Sequence, residues 1–223
     1  MYFSASLGFS AQTMKVINAN SFGEAWIAYV KYGLELGTHI QSKDEEILET
    51  EPVFLGIDLQ AKQNVDKIIQ LHGNPTVIKL YRDKMFSEEV LPEINSTYGD
   101  MLFNNQGVNM VEWMINKLKK NPFTKGAITG LLSPVILSQP KRRIPCLATL
   151  QYKIRNNQLI TYTTFRSQNI KNSYANMLGV ASITKEVARQ LNIGKGSYYH
   201  YISSPHIYSK DIKYLTKIAN NES

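Results

Sequence analysis

Two alternating segments meet at Asn156-Asn157, and they constrain the fold more than any other stretch of the chain. Before the asparagines, Ala148, Leu150, Tyr152 and Ile154 share one parity; after them, Leu159, Thr161, Thr163 and Phe165 do. A period of two bounded by turn residues is the signature of a β-hairpin. With a two-residue turn, Arg155 pairs with Gln158, and Cys146 falls opposite Ser167 with Arg166 beside it. A four-residue loop moves the ladder by one and sets Arg166 directly across from Cys146, with Cβ atoms ~5 Å apart. Either register brings the one cysteine of the chain next to an arginine. A neighbouring cation favours thiolate over thiol, and the thiolate is the nucleophile. The competing reading is a small buried hydrophobe, the usual state of a lone cysteine in a strand.

The rest of the composition narrows what such a site could serve. At 223 residues, with 43% hydrophobic content and no Pro/Gly/Ser linker or repeat, residues 1–223 read as one globular domain. One cysteine excludes an internal disulfide framework and suits a reducing cytosol, so a cytoplasmic location is expected. No apolar run reaches membrane-spanning length, and the N-terminus lacks a signal-peptide pattern. A formal charge of +7 and a pI near 9.3 point to an anionic partner, either a phosphorylated small molecule or a nucleic acid. The basic residues are scattered and no recognised nucleic-acid motif interleaves them with the tyrosines, which argues against a nucleic-acid-binding domain. Zinc-ligand spacing, a P-loop and a dinucleotide fingerprint are all missing.

Taken in order, residues 1–20 hold two short alternating runs that suit an edge strand. Ser21 with Glu24 is a capping-box pair and Gly37 a stop, and Phe22, Ala25, Trp26, Tyr29, Val30, Gly33 and Leu36 recur between them at helical spacing. Lys43-Asp44-Glu45-Glu46 reads as a solvated turn before a strand from Pro52 to Ile57. Val65, Ile68, Ile69 and Leu71 predict a helix ending near Gly73-Asn74-Pro75. Val108, Val111, Met114, Ile115 and Leu118 mark an amphipathic helix stopped by Asn121-Pro122. Beyond the hairpin, Tyr174, Met177, Leu178, Ala181, Val187, Ala188 and Leu191 describe a long helix closed by Gly194, and Ser197 to Ser204 a strand.

The segments PCLATLQYKI, LITYTTFRSQNI, YANM and SSPHIY give Cys146, Arg166-Ser167, Asn176, His206 and Tyr208 in order. In this the chain resembles the thymidylate synthase family, with its Pro-Cys nucleophile, Arg-Ser-x-Asp segment, downstream asparagine and His-x-Tyr pair. The resemblance implies a mixed, largely antiparallel α/β sheet backed by helices, two sheets packing across a twofold axis to make a homodimer. It also implies a pyrimidine nucleotide substrate, with dUMP foremost, and 5,10-methylenetetrahydrofolate as one-carbon donor. On that template Cys146 adds to C6 of the base and turns C5 into a carbon nucleophile. Arg166 lowers the thiol pKa and, with Ser167, holds phosphate; Asn176 selects uracil; His206 and Tyr208 hold the sugar. Tyr98, in a Tyr-Gly pair, lies near the reacting base. Counting back from Gly73 puts Asp66 in the place of the family's catalytic glutamate, one methylene short.

Four departures temper the template. Family members carry two adjacent arginines that reach across the dimer to the phosphate; here Lys125-Gly126 offers one point charge and no guanidinium, and Arg142-Arg143 could compensate. The aspartate that contacts the pterin is Asn169, which keeps one acceptor and presents a donor in place of the other, a mismatch of ~1–3 kcal/mol. Leu147 stands where histidine is frequent. The chain also stops soon after Tyr208, without the extension of larger members. Methylation of C5 is the leading expectation, hydroxymethylation the runner-up, and a nucleotide-binding homologue without folate chemistry the alternative of another class.

Overall fold

A computed structural model describes residues 14–42, 45–59, 66–88, 97–138 and 144–220. Strand β1 (Lys15–Ala19) leads into helix α1 (Phe22–Leu36), then β2 (Thr38–Gln41), β3 (Glu46–Glu49) and β4 (Val53–Asp58). Four helices follow: α2 (Lys67–His72), α3 (Pro75–Phe86), α4 (Tyr98–Phe103) and α5 (Met110–Lys120). After β5 (Ile128–Gly130) and the short α6 (Pro134–Leu137) come β6 (Leu147–Arg155), β7 (Gln158–Phe165) and β8 (Gln168–Asn169). Helix α7 (Ser173–Leu191), β9 (Gly194–Ile202), β10 (Pro205–Tyr208) and α8 (Ile212–Ala219) complete the order.

Six strands run β1-β4-β9-β7-β6-β5 in one sheet and four run β2-β3-β10-β8 in the other. Only β1-β4, β7-β9 and β8-β10 pair in parallel, so the sheets are mixed and largely antiparallel, as expected. One face of the larger sheet is a dry core. Leu55, Ile57, Leu150, Tyr152, Leu159, Phe165 and Tyr198 bury there with Trp26, Tyr29 and Val30 of α1 and Met177, Val180, Ile183 and Val187 of α7. Each such side chain contributes roughly 1.5–3 kcal/mol by leaving water. The other face carries half-exposed Phe54, Tyr162 and Tyr199, with ring centroids 5.7 Å apart for Phe54–Tyr199 and 5.1 Å for Tyr162–Tyr199.

The hairpin forms on the two-residue turn. Asn156 and Asn157 have φ of 50° and 56°, the left-handed pair that keeps a tight turn in step with the strand twist, and Arg155 pairs with Gln158. That register holds through Leu150↔Thr163 and Thr149↔Thr164, then slips so that Leu147 faces Phe165. Ala148 is the extra residue of a β-bulge. Both registers considered from the sequence therefore occur in one hairpin, and the slip comes from the bulge, not from a longer loop. It also corrects the parity: Leu147, not Ala148, takes the buried place below Leu150.

Other boundaries are set by local chemistry that periodicity does not carry. Ser21 Oγ accepts from the Glu24 N–H at 3.1 Å, while Glu24 Oε2 reaches the Asn20 N–H at 2.9 Å, a capping box widened by one residue. Gly37 does end α1, at φ −68°, so glycine is needed there for space: a Cβ would lie 2.9 Å from that of Leu48. Helix α7 is closed by Asn192, left-handed at φ 53°, and not by Gly194, which already belongs to β9. The helix predicted before Gly73 is only α2, and its Leu71 is 73% exposed. A second helix, α3, starts immediately afterwards, with Asn74 Oδ1 accepting from the N–H groups of Thr76 and Val77 and Pro75 in the first turn. Residues 1–13, Lys43-Asp44, Val65 and Arg142-Arg143, about which the sequence raised expectations, lie outside the described residues. Among the described residues no helix is long and apolar enough to cross a membrane.

Candidate active site

A cavity of about 460 Å³ opens where the far end of the hairpin meets α3, α4, the start of α7, and the β8-β10 pair. Its walls include Tyr98, Cys146, Arg166, Ser167, Asn169, Asn176, His206 and Tyr208, eight residues singled out from the sequence. They come from six separate elements and turns.

The bulge at Ala148 is what turns Cys146 toward Arg166. The Arg166 N–H donates to the Cys146 carbonyl at 2.9 Å, and the guanidinium folds back over the same loop. Nε donates to Pro145 O at 2.9 Å, Nη2 to Ile144 O at 2.6 Å, and Nη2 stands 3.9 Å from Cys146 Sγ. Nη1 has no partner among the described residues, so two N–H donors of an exposed guanidinium remain for an anion. Burial pushes the Cys146 thiol up; the Arg166 charge and a hydrogen bond from Tyr98 pull it down, and burial prevails. Sequence adjacency to an arginine favours the thiolate, but desolvation of a sulfur anion in the cavity opposes the cation and here outweighs it.

Tyr98 opens α4, where Thr97 Oγ1 caps by accepting from the Asp100 N–H at 3.1 Å. Burial, then the nearby sulfur, holds its hydroxyl far above the usual range, against backbone hydrogen bonds at Leu147 and Cys146. Tyr98 thus stays a neutral donor at Sγ. Asn176, 9% exposed in the first turns of α7, has no hydrogen-bond partner for its amide among the described residues. His206 Nδ1 lies 3.3 Å from the Ser204 carbonyl, a contact it makes as a donor, which leaves Nε2 as an acceptor facing the cavity. Burial lowers its pKa and favours that neutral form. Asn169 caps the following 3-10 turn, with Oδ1 accepting from the Lys171 N–H at 3.0 Å, so the end of its amide left over is the donor Nδ2.

Two expected residues are not in this constellation. Asp66 caps α2: Oδ1 accepts from the Ile69 N–H at 3.2 Å and Oδ2 from the Gly23 N–H at 2.7 Å. Both oxygens are committed to backbone donors and Asp66 is not among the wall residues, so it stands apart from the Cys146 constellation. Lys125 is exposed and likewise outside the walls, where its carbonyl accepts from Gln151 Nε2 at 2.8 Å. Leu147 is fully buried and leaves the cavity no side chain.

The walls also hold residues that the sequence does not single out, among them Tyr81 and Lys84 on α3, Gln168 on β8, and Asn172 before α7. Helix α3 itself was not foreseen, although Asn74-Pro75 is a start signal as much as a stop. Tyr81 is held up by burial and hydrogen-bonded to Asn172. Among the described residues the walls contain two cations, Arg166 and Lys84, and no carboxylate. No group of three or more His, Cys, Asp or Glu residues there could hold a metal ion. The arrangement can bind an anion, hydrogen-bond a neutral polar ring and offer one sulfur nucleophile.

A family model described as "Thymidylate synthase" matches residues 57–223. Two curated relatives bear the name "Putative thymidylate synthase". One, from Methanocaldococcus jannaschii, is 26% identical over 197 residues, 78% of this chain and 86% of that one. The other, from Methanosarcina acetivorans, is 27% identical over 200 residues, 88% and 91% of the two chains. Among solved structures, thermostable thymidylate synthase A from Bacillus subtilis aligns with a TM-score of 0.70 over 90% of this chain and 84% of that one. At 17% identity that is a likeness of fold.

Proposed function

The chain belongs to the thymidylate synthase family, and on that premise we propose that it transfers a one-carbon unit to C5 of a uracil nucleotide, dUMP foremost. One observation carries the proposal: Cys146 Sγ lies between the Arg166 guanidinium and the Tyr98 hydroxyl in a cavity that also collects Asn176, His206 and Tyr208. The sulfur adds to C6, C5 gains carbanion character, and the enolate oxygen that develops at the base is met by amide and hydroxyl donors. Asn176 offers both a donor and an acceptor, as a uracil O4 and N3–H edge requires. Arg166 and Ser167, with Lys84 at the same mouth, receive the phosphate. His206 and Tyr208 take the sugar hydroxyl. With Asp66 engaged elsewhere, proton movement falls to the hydroxyls of Tyr98 and Tyr81.

Methylenetetrahydrofolate is the proposed one-carbon donor, and Asn169 the residue that would face its pterin. There the fit is partial, because Oδ1 is already occupied and Nδ2 donates where the family's aspartate accepts. That observation favours a second reading, a nucleotide-binding homologue without folate chemistry. Hydroxymethylation is the variant in which water ends the same sequence. A homodimer through the aromatic outer face of the larger sheet is part of the proposal, and would bring a partner's Lys125 region toward the phosphate.

The decisive experiment incubates the protein with 5-fluoro-dUMP, with and without methylenetetrahydrofolate, and weighs the intact chain by mass spectrometry. A covalent ternary adduct lost in Cys146→Ser is expected. Absence of any adduct while dUMP still raises the melting temperature would replace the enzyme by the binding-only reading. Dihydrofolate release separates methylation from hydroxymethylation, since only the former oxidises the carrier.

A further inference from the structure

Gln168 is 2% exposed, lines the cavity, and its Nε2 has no hydrogen-bond partner, one of four such buried side-chain atoms among the described residues. An amide N–H₂ left unpaired in the interior forfeits its hydration, so its persistence calls for a compensating partner. The amide is engaged from behind by His200. His200 is fully buried and its pKa is lowered to about 3 by burial, so the ring is neutral and carries one N–H. Its Nδ1 lies 2.8 Å from Thr163 Oγ1 and 3.1 Å from the Tyr198 hydroxyl, two groups that can each donate to it. Gln168 Oε1, 3.2 Å from Nε2, can only accept, so the imidazole proton is on Nε2 and Nδ1 is the acceptor. Phe165, stacked on the ring at 4.6 Å, holds it in place. With Oε1 taken by His200, Nε2 is the unpaired end of the amide in a residue that lines the cavity.

We infer that Gln168 is a further substrate-binding residue, its Nε2–H₂ donating to a carbonyl oxygen of the bound pyrimidine ring. The inference rests on the nucleotide reading above. The choice of ring over phosphate follows from the wetness of the cavity. Arg166 is exposed and Ser167 and Lys84 are half-buried, whereas Gln168 and Asn176, at 2% and 9%, lie with Thr97 and Met101 in its buried part. A dianionic phosphate keeps more of its solvation at the wet mouth, and a neutral ring is the group that goes deep. A neutral amide donor at the dry end matches a neutral carbonyl acceptor. Asn176 and Gln168 together then read two polar positions of one ring, and Tyr198, His200 and Phe165 act through Gln168 as positioning residues.

The test is isothermal titration of dUMP and of deoxyuridine, which lacks the phosphate, into wild type, Gln168→Met and Gln168→Glu, with the melting temperature of each unliganded protein. Gln168→Met keeps the volume and removes the donor. It should bind both ligands at least ~10-fold more weakly, by the same factor. Gln168→Glu keeps an acceptor for His200 and should lose deoxyuridine by a similar factor, which keeps the proposal testable if the methionine variant does not fold. Affinities within twofold of wild type, with only the melting temperature lowered, would make Gln168 a structural partner of His200 and overturn the inference. Loss confined to dUMP would move the contact to the phosphate and overturn the ring assignment. A wild type that binds neither ligand overturns the nucleotide reading, and this inference with it.

Discussion

At Cys146, burial and charge act against each other, and the balance can be measured. Because burial leaves the thiol above its ordinary range despite Arg166 and Tyr98, the rate of iodoacetamide alkylation should still be climbing past pH 9. Arg166→Met removes the cation and Tyr98→Phe the hydroxyl donor, so each should move the profile further up in pH; a shift downward would refute the electrostatic account. His200 works in the opposite sense. Its folded pKa is about 3, against about 6.5 when unfolded, so between these values the unfolded chain binds the extra proton. The stability it contributes is complete above pH ~6.5 and is lost as pH falls toward 3, at about 1.4 kcal/mol per unit. Urea unfolding should show wild type losing about 2 kcal/mol from this source between pH 6.5 and 5. His200→Asn starts less stable and loses far less over the same interval. Equal acid sensitivity in both would show that the imidazole is not held neutral.

Among the elements, α2 separates two roles that the sequence merged in Asp66. A cap contributes roughly 1 kcal/mol, up to ~2 when it also serves a second site, whereas a catalytic carboxylate contributes to rate. Asp66→Ala should therefore lower the free energy of urea unfolding by that amount and leave adduct formation with 5-fluoro-dUMP unchanged; an adduct lost at full stability would return Asp66 to the chemistry. Gly23 supports the first outcome, since a Cβ there would sit 2.3 Å from Asp66 Oδ1 and expel the carboxylate from its seat. The hairpin was the most legible element because its two strands are neighbours in sequence, so turn length alone places Arg155 against Gln158. The bulge was not legible. Ala148 and Leu147 are both apolar, and nothing local says which of two successive small or apolar residues will be skipped. Helix α3 was missed for a similar reason: Leu80 and Phe86 are 47% and 42% exposed, so its apolar residues do not trace one clean buried stripe.

For the molecule as a whole, the outer face of the six-stranded sheet carries the remaining prediction. Half-exposed Phe54, Tyr162 and Tyr199 form adjoining ring pairs there, and Lys153 Nζ lies 4.6 Å over the Tyr162 ring. Light scattering should find twice the 25.3 kDa chain mass, and Phe54→Glu with Tyr199→Lys should halve it while the cavity keeps its nucleotide. A wild type of single-chain mass at micromolar concentration would end that proposal. What the sequence alone determined is what short-range order can carry: the hairpin and its turn, the amphipathic faces of α1, α5 and α7, and the Cys, Arg-Ser, Asn and His-x-Tyr residues whose types and order mark the thymidylate synthase family. What only the tertiary structure decided is where solvent is excluded. Desolvation depends on every element packed around a group, so the direction of the Cys146 shift, the retirement of Asp66 to a helix cap and the unpaired amide of Gln168 emerge only when α3, α4, α7 and β10 close over the end of the hairpin.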